Sequence, residues 1–197
     1  MQKKMFKKTH YNTPGHAHEL TVSCFKGIPF FNDTAACDRF LTELYQAKID
    51  FSFSIWAYVI MPQHIHILIF PNENTYDIKK ITKSLHGRIA KKYMTTLKQM
   101  NNIPILNKCL VKEKGVEKHR FWQRGGGFDR NIWNVKAIYD SIEYIENNPV
   151  RKKLVAAPEE WRWSSAYARK MKTGVIPDIF NMPVNQPNPQ KQKLGKI

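Results

Sequence analysis

Two histidines at alternate positions are the first residues in this chain whose spacing could do chemistry. His64 and His66 lie in the stretch Tyr58-Val-Ile-Met-Pro-Gln-His-Ile-His-Ile-Leu-Ile-Phe-Pro71, which reads as two strands broken by a turn at Met61-Pro62-Gln63. In a strand, residues i and i+2 point to one face. The two imidazoles therefore sit side by side, while Ile65, Ile67 and Ile69 point the other way into a core. A buried imidazole needs hydrogen-bond partners. A shared divalent cation would satisfy both rings; two separately bonded core histidines are the plainer alternative. The pair alone names no reaction, because a metal site for phosphate transfer also needs a nucleophile and an oxygen ligand. A rival pair, His16 and His18, follows Pro14-Gly15 in a polar lead-in and is expected to be solvated or locally bonded.

The elements that must carry these residues can be read in chain order. His18 to Phe25 alternates as a first strand, with Leu20, Val22 and Cys24 on one face. Asp33 or Thr34 can cap a helix whose stripe is Phe40, Leu41, Leu44 and Tyr45. Phe51 to Ile60 is a second strand, with Phe53, Ile55 and Ala57 opposite Ser54, Trp56 and Tyr58. The short turn makes it a hairpin with the strand from His64 to Phe70. Residues 75 to 100 form a helix with Ile78, Ile81, Leu85, Ile89 and Tyr93 on one face and Lys79, Lys80, Lys83, Arg88, Lys91 and Lys92 on the other. Residues 101 to 119 have no clear period. Arg120 to Gln123 suggests a short fourth strand, and Arg124-Gly-Gly-Gly127 a loop. Ile132 to Asn148 reads as a helix buried through Val135, Ile138, Ile142 and Ile145 and stopped by Pro149. Tyr144 and Asn148, four apart, share one of its faces. Trp161-Arg162-Trp163 with Tyr167 suits either base stacking and phosphate contact or core packing.

The chain of 197 residues suits one domain with extensions: a basic segment over 1–18, a folded domain over 19–170 and a flexible tail over 171–197. Its net charge is +16, from 32 Lys and Arg against 16 Asp and Glu, which points to a polyanionic partner and first to nucleic acid. The single-signed basic residues Lys79, Lys83, Arg88 and Lys91, with Arg124, Arg130, Arg151 and Arg162, are the candidate nucleic-acid contacts. No apolar run is long enough for a membrane span, and the basic start lacks the apolar segment of a signal peptide. Cys24, Cys37 and Cys109 show neither zinc spacing nor a disulfide framework. The expectation is a cytoplasmic protein with reduced thiols and no membrane partner.

Taken together, the motifs resemble a known family. Met61-Pro-Gln-His-Ile-His66 is similar to the His-hydrophobe-His signature of HUH nucleases. Tyr144-Ile-Glu-Asn-Asn-Pro-Val150 with Leu154-Val155, and Trp161-Arg-Trp-Ser-Ser165 after Pro158, resemble two further signatures of the REP-associated tyrosine transposases. The resemblance runs from about Leu20 to Tyr167. It departs at Gln63, where asparagine is common, and at Gly125-Gly-Gly127.

The resemblance implies an α+β, ferredoxin-like antiparallel sheet with packed helices, the HUH nuclease fold. It implies that His64 and His66 bind Mg²⁺ or Mn²⁺, that Asn148 completes the metal site and that Tyr144 is the nucleophile. Tyr139, five residues from Tyr144, is then structural. It further implies a monomer that cleaves and rejoins hairpin-containing single-stranded DNA, for which chromosomal palindromic repeats are a candidate source. The chemistry is coherent on its own terms. A tyrosine hydroxyl, with an ordinary pKa of about 10, needs activation near neutral pH. A 5′-phosphotyrosine link would conserve the phosphodiester energy, so rejoining needs no nucleotide cofactor. The competing readings are a protein that binds structured single-stranded DNA or RNA without cleaving it, and a phosphoesterase that uses water instead of Tyr144.

Overall fold

The computed structural model describes residues 11–125 and 127–183. Its organising unit is a four-stranded antiparallel sheet. The strands are β1 (Ala17–Ser23), β2 (Phe53–Met61), β3 (His64–Pro71) and a strand late in the chain, Phe128–Ile132. Before that last strand come helix α1 (Thr34–Phe51), helix α2 (Ile78–Gln99), helix α3 (Ile103–Cys109) and a separate hairpin of β4 (Leu110–Glu113) and β5 (Val116–His119), so Phe128–Ile132 is β6. The spatial order β2-β3-β1-β6 is the ferredoxin-like arrangement: a strand–helix–strand pair on each side, with both crossovers on one face.

α1 and α2 cover one face of the sheet. Asp33 caps α1 by accepting from the Ala35 N–H, and Asp77 caps α2 by accepting from Lys79 and Lys80. Cys37, Phe40 and Leu44 of α1 and Ile78, Ile81, Leu85, Ile89 and Tyr93 of α2 pack on Leu20, Val22, Ile65, Ile67 and Ile69. Tyr45, expected in the α1 stripe, points outward and is half exposed. The burial of Cys24 and Cys37 pushes both thiols up to about 12.

Helices α4 (Val135–Glu146), α5 (Asn148–Arg151) and α6 (Ser165–Met171) follow β6. α4 lies on the opposite face of the sheet, where Ile138 and Ile145 meet Ala17, Trp56, Ala57, Val59, Met61 and Leu68. β2 does not alternate as its sequence suggests. The register shifts between Ile55 and Ala57, as at a bulge, so Tyr58 and Ile60 join Phe53 and Ile55 on the α1 face while Ala57 turns to the α4 face.

Three further expectations change. Residues 120–123 contribute only an isolated bridge, Cys24 to Trp122, and the fourth strand is β6. Ile132 therefore ends a strand, and the helix starts after Asn134, whose side chain accepts from the Ala137 N–H. The tail expected from residue 171 is docked as far as 183: the Asp178 carboxylate accepts from the Ile55 N–H (2.8 Å) and pairs with Lys48, and Asn181 accepts from Trp56 Nε1 (2.9 Å). The rest of the expected tail, and residues 1–10 of the basic lead-in, lie outside the described residues.

Candidate active site

β3 delivers both histidines to the α4 face of the sheet. His64 pairs with Ser23 and His66 with Thr21 across β1, and their ring centroids are 4.9 Å apart. Thr21 Oγ1 lies 2.7 Å from His66 Nδ1, which leaves Nε2 as the nitrogen not engaged by Thr21. Burial, then the neighbouring charges of His64 and Arg151, lowers the His66 pKa to about 4. Burial and the Lys152 charge also lower that of His64, partly offset by a hydrogen bond with Asn148. Two neutral imidazoles result, which is the form that binds a metal ion.

α4 brings Tyr144 to this pair. Its ring centroid is 5.6 Å from that of His66, nearly perpendicular to it, and Arg151 Cζ stands 4.7 Å over the tyrosine ring. The helix is fixed on both sides of Tyr144. Ser141 donates to Glu19 Oε2 of β1 (2.8 Å), and buried Glu146 accepts from Arg169 Nη1 (2.6 Å) and Nη2 (2.5 Å) and from Ser165. Asn148 follows in the short turn α5, where Pro149 is tolerated in the first turn because no intrahelical partner is needed there.

Ser23, His64, His66, Tyr144, Asn148, Arg151 and Lys152 line one open cavity of about 380 Å³. Two cations, two imidazoles, an amide and a half-exposed phenol suit a phosphate group better than an apolar ligand. Among the described residues no three of His, Cys, Asp and Glu come together as a metal cluster. The available donors are therefore the two histidines and the Asn148 amide. They fit a divalent cation that takes its remaining ligands from water or phosphate oxygens.

Of the eight expected nucleic-acid contacts, Arg151 alone lines this cavity. Arg162 lines a second cavity, over the Trp163 ring. Lys79, Lys83, Arg88 and Lys91 lie on α2, which packs on the face of the sheet away from the histidine pair; Lys83, Arg88 and Lys91 line a groove there with Phe51. Arg88 pairs with Asp50, Arg124 with Glu113 and Arg130 with Glu19. His18 is neither solvated nor near the site. It is fully buried between Asp129 (2.8 Å) and Tyr76 (2.8 Å) on the α2 face. His16 stacks on Trp133 at 5.1 Å. Tyr139 donates to the Pro183 carbonyl (3.2 Å).

Three site residues lay outside the expectation. Lys152 stands in the run Arg151-Lys152-Lys153, whose charge was a usable signal. Thr21 and Ser23 sit on the polar face of β1, where nothing in the sequence separates a site residue from a solvated one.

No family model matches the chain. A curated protein of Haemophilus influenzae, provisionally named a REP-associated tyrosine transposase, is 26% identical over 141 residues, covering 72% of this chain and 74% of that protein. A solved structure of a REP-associated tyrosine transposase bound to a REP hairpin superposes with a TM-score of 0.64 at 18% identity, covering 93% of this chain and 100% of the other. In sequence and in fold, then, the chain is similar to the REP-associated tyrosine transposases.

Proposed function

We propose that this protein is an HUH-type transposase that nicks and rejoins hairpin-containing single-stranded DNA, with Tyr144 as its nucleophile. The observation that carries the reading is Tyr144 packed against His66 in one cavity with His64, Asn148, Arg151 and Lys152. The hairpin as partner is supported by the solved relative, which is bound to a REP hairpin. Palindromic repeats of the chromosome are the proposed source of such hairpins, and the cytoplasm the proposed compartment. Among the described residues no helix is long and apolar enough to cross a membrane.

In this reading the Tyr144 oxygen attacks the phosphorus, the P–O3′ bond breaks, and the tyrosine is left esterified to the 5′-phosphate. The phenolic proton is lost and the departing 3′-oxygen gains one. In the reverse step a 3′-hydroxyl attacks the phosphotyrosine and restores the diester. Arg151 and Lys152 hold the scissile phosphate and offset the charge that builds on its oxygens. His64, His66 and Asn148 would hold a divalent cation, Mg²⁺ or Mn²⁺, which supplies Lewis-acid polarisation of the phosphate. The site is assembled from one chain, which supports a monomer for the nicking step.

The test is a denaturing gel of the full chain with labelled hairpin DNA and Mn²⁺. A covalent band that is lost in Tyr144→Phe and in His64→Ala supports the assignment. Tight, salt-sensitive binding without a covalent band, across a library of hairpins, would instead make the protein a non-cleaving binder of structured single strands.

A further inference from the structure

The Trp161–Tyr167 motif admits base stacking or core packing on sequence alone; in the structure both tryptophans pack partly on the core, Trp163 on the α1 side and Trp161 on the α4 side. Trp161 packs with the α4-side cluster and donates from Nε1 to the Ile60 carbonyl (2.9 Å). The Trp163 carbonyl accepts from the Ile60 N–H (2.9 Å), and Ser164 bridges to Val59, so the segment extends the sheet beyond the β2 edge. Behind this extension is a cavity of about 220 Å³, separate from the Tyr144 cavity and lined by Asp38, Tyr58, Arg162, Trp163, Tyr167 and Thr173.

We propose that this cavity receives one unpaired nucleobase of the DNA strand that occupies the Tyr144 site. The proposal rests on the nucleic-acid reading above and adds a place where that strand is read.

The lining chemistry selects this ligand. Trp163 and Tyr167, both half-buried, supply aromatic surface for a base. The Arg162 guanidinium is held 4.8 Å over the Trp163 ring, a stacked position from which its N–H groups still reach a phosphate or a base oxygen. Asp38 is a pure acceptor suited to the N–H donors on a base edge, and it disfavours a site built for phosphate alone. The volume suits a single base and excludes a base pair. Unpaired bases are commonly bound in this way, stacked on aromatic or guanidinium planes and hydrogen-bonded along one edge.

The cavity lies on the α1 face of the sheet, where Tyr58 points, so the strand reaches it from the Tyr144 site round the β2 edge. Ser165 accepts from the Tyr58 N–H (3.1 Å) on the cavity floor and donates to Glu146, two residues after Tyr144. One serine thus ties the floor of this cavity to the helix of the nucleophile.

The test uses the full chain carrying Tyr144→Phe, so that the DNA stays intact. Affinity is read by fluorescence anisotropy, at one salt concentration, for a hairpin with single-stranded flanks. Each flank position is replaced in turn by an abasic nucleotide, which removes the base but keeps the phosphate. The expected result is one position where the abasic change weakens binding about tenfold. That penalty disappears in Tyr167→Leu and in Arg162→Ala, while both variants keep the parent melting temperature. Asp38→Asn alters which of the four bases is preferred at that position. A flat abasic profile, or an unchanged penalty in the variants, overturns the pocket while leaving covalent-adduct formation by the unmutated chain intact. Failure of the parent chain to bind any hairpin overturns the nucleic-acid reading and the pocket with it.

Discussion

Thr21 and His66 face each other across the β1–β3 register, with Thr21 Oγ1 2.7 Å from His66 Nδ1. A ligand histidine is commonly held through its second nitrogen, which sets both tautomer and ring angle. Thr21→Val keeps the shape and removes the hydroxyl. It should lower divalent-metal affinity by roughly 10- to 100-fold. Titration calorimetry with Mn²⁺ checks this, and an unchanged affinity would show that Thr21 does not orient the ring.

The same threonine limits the loop beside it. Gly127 has φ +78°, and a Cβ there would lie 2.2 Å from the Thr21 carbonyl oxygen. Gly127→Ala must move backbone on one strand or the other, and should cost about 1–3 kcal/mol of stability. Gly125 has a positive φ but open space around it, so Gly125→Ala should meet strain without a clash and cost less. Paired urea melts of the two variants give the comparison.

Tyr144 and Tyr139 sit on one helix with different partners. Tyr144 meets His66 and Arg151, whereas Tyr139 donates to the Pro183 carbonyl. Tyr144→Phe should abolish the covalent DNA adduct while hairpin affinity stays within about threefold, since the ring stack under Arg151 survives and only one hydroxyl contact is removed. Tyr139→Phe should leave the adduct intact. An adduct that persists in Tyr144→Phe would remove Tyr144 as nucleophile.

How far the sequence could be read depended on which interactions are local. The His64–His66 pair and the α2 stripe were legible because periodicity alone places them. Asp33 was legible as a cap candidate from its residue type just before the α1 stripe, whereas Asp77, which caps α2, was not singled out. The β2 bulge was not legible, because one extra residue changes the face of Tyr58 without changing its neighbours in sequence. β6 was missed because Phe128–Ile132 is half polar: Arg130 faces Glu19, and Asp129 meets His18. Those partners are 111 residues away, and no local pattern announces them. The α2 lysines were candidate nucleic-acid contacts by charge alone, and which face of the sheet their helix would cover had no local signal; the fold places them away from the Tyr144 cavity.

Glu146 and Arg169 form the bidentate pair that holds the helix of Tyr144 against α6. Glu146 is buried, so removing its partner leaves a carboxylate short of donors. Arg169→Ala should destabilise the protein by about 3 kcal/mol. It should also reduce adduct formation more than DNA binding, because it loosens the helix of Tyr144, the proposed nucleophile, and leaves Arg151 and Lys152 in place. Equal loss of both would mean only a general loss of folded protein.

The His66 shift makes stability depend on pH in a defined window. Its folded pKa is about 4 against an ordinary value of 6.5, so the folded state binds fewer protons than the unfolded chain between these values. Above pH 6.5 both forms are neutral and the group contributes nothing that varies with pH. As the pH falls from 6.5 the unfolded chain takes up a proton that the folded one refuses, and stability declines until about pH 4, where the folded ring also protonates. The whole shift amounts to roughly 3 kcal/mol. In metal-free buffer, His66→Asn should reduce the slope of this part of the stability curve, leaving what His64, whose pKa is also lowered by burial, contributes, with acid denaturation at lower pH in place. Saturating Mn²⁺ should steepen it in the parent chain, because a ligand that needs the neutral ring competes with the proton. Guanidinium melts at half-unit pH steps, with and without the metal, decide it: a parent curve flat from pH 6.5 to 4 would mean that His66 is open to solvent and protonates as an ordinary histidine.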